Sequence, residues 1–215
     1  MTHQHIIVAA LLETHGRTFA AELGARVARN TPSPLFRLLC LAMLTGAPVQ
    51  ADIAMRGARA LADAGWTTPH KLANSRWSQR VAALNEAGYA RVDERTATQL
   101  EVLNERLLDE YGGDLRRLRA AANGEASLAL EQLRGFKGIG EVGASIFLRE
   151  VQAAWPEFYP FIDKATAKAA GRLGLPTGAG DLARLVDAQI FPRLVAAIVR
   201  TQLAGDFDRI RDGAG

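Results

Sequence analysis

Residues 133–151, LRGFKGIGEVGASIFLREV, constrain this chain more than any other stretch. Gly135, Gly138 and Gly140 crowd a short segment, and apolar residues at helical spacing lie on both sides. Glycine reaches positive φ without a steric penalty, so Gly138-Ile139-Gly140 suits a tight hairpin between two helices. Ile139, the branched apolar residue of the tip, would plug the crevice between them. After Gly140 the period becomes helical: Val142, Ile146 and Phe147 share one face, and Ala144 is small enough for close helix contact. Such a turn also presents backbone N–H groups that lack intrahelical partners, at a helix end that carries partial positive charge. With Lys137 beside them, Gly138, Ile139, Gly140, Val142 and Gly143 form a candidate phosphate grip.

Nearly everything else also reads as helix. Ala, Leu, Glu and Arg are abundant, and no long alternating β-branched stretch occurs. Helices are expected over 3–14, 18–29, 34–44, 51–64, 76–87, 91–110, 115–122, 125–134, 164–173, 181–190 and 193–203, with a short turn of helix after Thr68-Pro69. Ser33, Ser75, Asp114 and Asp163 are the expected N-caps at four of these starts. The segment 34–44 is apolar nearly all round, which predicts a buried central helix. The polar tail 205–215 is expected to fray.

Composition sets outer bounds. The 215 residues, 48% of them hydrophobic, can bury a sizeable core in one domain or two small ones. A net charge of +3 permits nucleic-acid binding without demanding it. The single cysteine, Cys40, lies in an apolar helix and reads as a core thiol, which suits a reducing cytoplasm. Residues 6–12 are apolar but lack the flanks of a signal peptide, and 35–44 is too short to span a bilayer. His3, His5, His15 and His70 form no convincing metal set.

Downstream of the hairpin comes WPEFYPFIDKATAKAAGRLGL, residues 155–175. With FKGIGEVGA at 136–144, this resembles the endonuclease III-like superfamily of DNA glycosylases, whose hairpin looks like LPGVGxKTA and whose later segment looks like WP…VDTH…RVxxRLGL. The likeness covers about 133–175 and extends in register over 31–75, where SPLFRLLCLAMLTG looks like the family's second helix. It implies an all-α, two-lobed fold: a six-helix middle domain over 30–154 containing the helix–hairpin–helix 125–151, and a second helical lobe built from 1–29 and 155–215 that carries Asp163. A single α-domain is the alternative that composition alone leaves open.

The resemblance assigns roles. Asp163 would be the catalytic carboxylate, activating water and stabilising the cationic sugar as a base departs. Members that also cut the strand carry a lysine where this chain has Val142. Its amine attacks C1′, and valine offers no nucleophile, so a monofunctional enzyme without efficient lyase activity is expected. Lys137 and Lys164 are the nearby amines. Lys164, Lys168 and Arg172 at i, i+4, i+8 would line up along the DNA backbone. Gln50 is the candidate wedge; the aromatics of 155–161, Trp155 and Tyr159 among them, read first as packing between the lobes and alternatively as stacking on an extruded base. No iron–sulfur cluster is expected, because the cysteines for one are missing, while the hairpin carbonyls at 136–139 could hold a monovalent cation. The expected partner is double-stranded DNA, bound by a cytoplasmic monomer without membrane contact. The competing readings are a non-catalytic DNA-binding relative, favoured by Val142 and by Lys164-Ala165 where the family often has Thr-His, and a helical interaction protein unrelated to DNA.

Overall fold

The structure is a computed structural model describing residues 2–212, and all regular structure among them is helical. Helices α1 (His3–His15), α2 (Phe19–Glu22), α3 (Pro32–Thr45), α4 (Ala51–Asp63), α5 (Pro69–Ala73), α6 (Trp77–Leu84) and α7 (Asp93–Tyr111) make the first half. Helices α8 (Leu115–Ala121), α9 (Ala126–Arg134), α10 (Glu141–Val151), α11 (Lys164–Arg172), α12 (Ala179–Ala183), α13 (Phe191–Ala204) and α14 (Phe207–Asp212) make the second.

Two hydrophobic cores organise them. The larger surrounds α3, whose Leu35, Phe36, Leu38, Leu39 and Leu44 are at most 1% exposed. This helix is apolar all round because α4, α8 and α10 enclose it. At Gly143 of α10 an added Cβ would stand 2.8 Å from the Ala42 carbonyl oxygen of α3, so only glycine permits that approach. The smaller core packs α1 against α13, with α11 and α14 alongside; Ile7, Leu11, Leu194, Ile198, Phe207 and Ile210 fill it.

Several local expectations are corrected. The helix predicted over 18–29 is broken: α2 ends at Glu22, Gly24 takes φ 72°, and a 3-10 turn over Val27–Arg29 follows. Thr31, not Ser33, precedes α3, because two prolines fit the first turn of a helix. Arg76, not Ser75, caps α6. The region 85–89 winds as a π-turn around Gly88 at φ 101°, and α7 starts two residues later than expected. The tail does not fray over 207–212, since Phe207 and Ile210 bury their side chains; residues 213–215 lie outside the described residues. Core membership crosses the expected division: Ala20, Leu23, Ala25 and Val27 belong to the larger core, and so do Trp155 and Phe158, while Tyr159 packs against the smaller one.

Candidate active site and nucleic-acid interface

The hairpin forms where the glycines place it. Gly138 sits at φ 85°, the Ile139 N–H donates to the Phe136 carbonyl at 3.0 Å, and Gly140 opens α10. No side chain among the described residues caps that start, which leaves the first-turn amides of α10 open. Gly140 has empty space where a Cβ would stand, and Lys137 is exposed. Beside the turn lies a groove of about 430 Å³, bordered by Gly138 and Gly140, the Gly46-Ala47-Pro48 loop, and the side chains of Arg95, Arg134 and Lys137. None of these three cations has an ion-pair partner among the described residues.

Three hairpin expectations change. Ile139 is 4% exposed and spends its N–H on Phe136, so it is the plug and not a phosphate contact. Gly143 faces α3, where its lack of a side chain serves packing. Val142 is 63% exposed and leaves the core face to Ile146 and Phe147.

Asp163 caps α11. Its Oδ1 accepts from the Thr166 N–H and hydroxyl, each at 2.7 Å, and its Oδ2 accepts from Arg149 Nη1 at 2.8 Å. Arg149 is 4% exposed and comes from α10, so the hairpin's second helix fixes the carboxylate. The end of α10 is buried, with Arg149, Glu150 and Gln152 polar around the apolar Val151. Glu150 accepts the Ala20 N–H at 2.8 Å, and Gln152 exchanges two bonds with the Phe161 backbone. These residues tie α2 and the loop before Asp163 to α10. Of the basic stripe, Lys164 and Lys168 are exposed, although Lys164 lies 3.9 Å from Glu141. Arg172 stacks on the Phe207 ring, its guanidinium 3.6 Å from the centroid.

Between α1, α2, α4 and α13 lies a cleft of about 740 Å³. Phe19, Val49, Met55 and Leu203 supply its apolar lining, and His15, Glu22, Gln50, Asp52 and Arg200 its polar part. Gln50 stands exposed at the start of α4. Trp155 and Tyr159 take the packing positions that the sequence favours for them. Trp155 is fully buried, with its indole N–H on Asn30 Oδ1 at 2.9 Å. Tyr159 is half-buried against the smaller core, edge-on to Phe191. The aromatic that reaches the cleft is Phe19, with Arg149 and Arg200 over its ring. Sequence reading passed over Phe19, Arg149 and Arg200. The one available signal was the polar cluster Arg149-Glu150-x-Gln152 closing an otherwise apolar helix.

An all-α molecule of two lobes, joined through a helix–hairpin–helix and a capping aspartate, has the fold of the helix–hairpin–helix DNA glycosylases. Helicobacter pylori 3-methyladenine DNA glycosylase (MagIII), solved bound to 1,N6-ethenoadenine, matches with a TM-score of 0.58 and 16% identity, over 95% of this chain and 99% of that one. A trapped endonuclease III–DNA covalent intermediate, an estranged-adenine complex, matches at 0.49 with 15% identity, over 78% and 73%. No protein-family model and no curated protein sequence matches the chain.

Proposed function

We propose that this protein is a DNA N-glycosylase of base-excision repair that releases a damaged or mispaired base from duplex DNA by hydrolysis. The observation that carries the reading is the Arg149–Asp163 link: the helix that opens at the hairpin also holds the carboxylate heading α11. A backbone gripped at the open amides of α10 then lies in register with that carboxylate. Lys137, Lys164 and Lys168 add sequence-independent phosphate contacts.

The extruded base enters the cleft beside Phe19, while Gln50 occupies the space it leaves. As the C1′–N bond breaks, its electron pair leaves with the base and positive charge builds on the sugar. Asp163 opposes that charge. A carboxylate offers about four lone-pair sites, and Arg149 and Thr166 take three of them. The remaining site accepts the proton of the water that adds to C1′. Val142 provides no amine for a Schiff base, so strand cleavage is not part of the reaction.

Cofactors follow from the donors present. A four-thiolate iron–sulfur cluster does not fit, because Cys40 is the chain's single cysteine and burial pushes its thiol up to about 12. The carbonyls of 136–139 are oxygen donors of the kind hard cations take. A monovalent ion there would add positive charge beside the phosphate.

The test is base release from duplexes bearing oxidised, deaminated, alkylated and mispaired bases, with and without hot alkali. Alkylated adenines head the panel because of the ethenoadenine bound to the Helicobacter pylori enzyme. Wild type should release base and leave strands that break only in alkali, and Asp163→Asn should lose release at least a hundredfold. A second reading, a DNA-binding relative without chemistry, is favoured by the Arg149 charge that offsets Asp163. Duplex binding without release from any substrate would establish it.

A further inference from the structure

We infer that the cleft beside Phe19 takes an uncharged lesion base presenting a carbonyl or ring-nitrogen acceptor, excludes cationic N-alkylpurines, and is set to that class by Arg200. The inference rests on the glycosylase reading and goes beyond it by naming the chemical class of the base.

A cationic base is retained by the face of an electron-rich ring or by a carboxylate with no other partner. The cleft offers neither. Its aromatic ring, Phe19, already carries the Arg200 guanidinium 4.1 Å from its centroid and Arg149 at 5.8 Å. Its inner carboxylate, Glu22, is engaged by both Arg200 and Arg59, and Asp52 stands at the solvent-exposed rim, 3.5 Å from Arg56. A second cation pressed against this wall would meet positive charge that is only partly screened, since the Arg200 side chain is 21% exposed.

The same wall suits a neutral base. Arg200 is fixed by its Nε–H on the Arg17 carbonyl at 2.8 Å and by Nη2 on Glu22, so its plane is set before any base arrives. Nη1 makes no bond among the described residues and is available to donate to an acceptor on the base. A fixed guanidinium plane both stacks on a flat neutral ring and donates in that plane, which an ammonium cannot do.

The experiment measures single-turnover base release by the full chain. The duplexes carry one hypoxanthine, one 1,N6-ethenoadenine or one 7-methylguanine, and each rate is divided by the uncatalysed rate. The neutral lesions should be accelerated at least tenfold more than 7-methylguanine. Arg200→Gln should lower that ratio at least tenfold. Arg200→Lys keeps the charge without the plane, so it should slow release of the neutral lesions while 7-methylguanine stays excluded. Thermal melting checks folding, and if Arg200→Gln melts early, the lysine variant carries the test. Equal or greater acceleration of 7-methylguanine by wild type, or an unchanged ratio in the variant that folds, would overturn the inference and leave the glycosylase reading standing. No release of any base from any duplex of the wider panel would overturn both.

Discussion

Asp163 and Trp155, eight residues apart in one segment, serve opposite ends. Both were candidates for contact with DNA, yet Trp155 fills the core beside Phe147 and Phe158, and its one polar atom is spent on Asn30. Trp155→Leu should therefore destabilise the fold by about 3 kcal/mol, as large-to-small core changes do. Chemical denaturation measures that loss, and base preference among released products should not move. Asp163 instead keeps 14% of its side chain exposed, with Arg149 at its back. Removing Arg149 leaves a part-buried carboxylate without its cation, so Arg149→Met should cost about 3 kcal/mol of stability. A melting temperature equal to wild type would show that the pair contributes nothing to the fold.

At the scale of the element, α10 does three jobs along one helix. Its first turn offers amides on one side and packs on α3 through Gly143 on the other, its middle fills the core with Ile146 and Phe147, and its last turn holds Asp163, α2 and the following loop. The two glycines at its start separate these jobs. Gly143→Val should destabilise by about 2 kcal/mol, in the range of overpacking, because the clash is with backbone that cannot turn aside. Gly140→Val meets open space at a φ of −93°, so it should melt like wild type while weakening duplex binding by obstructing the phosphate's approach. On α11, Lys164→Gln and Lys168→Gln should each lower the slope of log affinity against log salt by about 1 if each residue neutralises one phosphate. Fluorescence anisotropy across salt concentrations reads this directly. An unchanged slope would place these lysines on a merely solvated face.

For the whole molecule, Glu150 is where the lobes' architecture meets pH. Burial pushes its carboxyl up, more strongly than Arg149, the Ala20 N–H and Arg200 pull it down, and its Oε1 has no partner among the described residues. A carboxyl raised in the folded state favours folding fully below the unfolded value of about 4.3 and loses that contribution as pH rises through the folded value. Glu150→Gln keeps the acceptor for Ala20 without the charge. The melting temperature of the variant minus that of wild type should therefore climb between pH 4 and pH 8. Asp93, Asp114 and Glu157 are held below the usual carboxylate range by Asn85, Arg116 and Arg119 respectively. Their stabilisation is present at neutral pH and lost on acidification, so both proteins should melt earlier in acid.

Sequence alone carried what neighbouring residues decide together. The glycine hairpin, the cap of Asp163 on α11, the Asp114 cap, the short helix at Thr68-Pro69 and the buried α3 were all legible, because turn chemistry, capping and apolar periodicity act over a few positions. Two lobes were legible through resemblance, but not their seam, since which core Ala20 or Trp155 joins depends on packing between distant segments. The face that Val142 takes also escaped, because rotation of α10 is set by the close contact of Gly143 with α3. Above all, the cleft wall is a tertiary product. Glu22 and Arg200 meet across 178 positions, and Glu150 and Ala20 across 130. No local pattern encodes such pairs; they exist only because burying two apolar cores brings α2, α10 and α13 together.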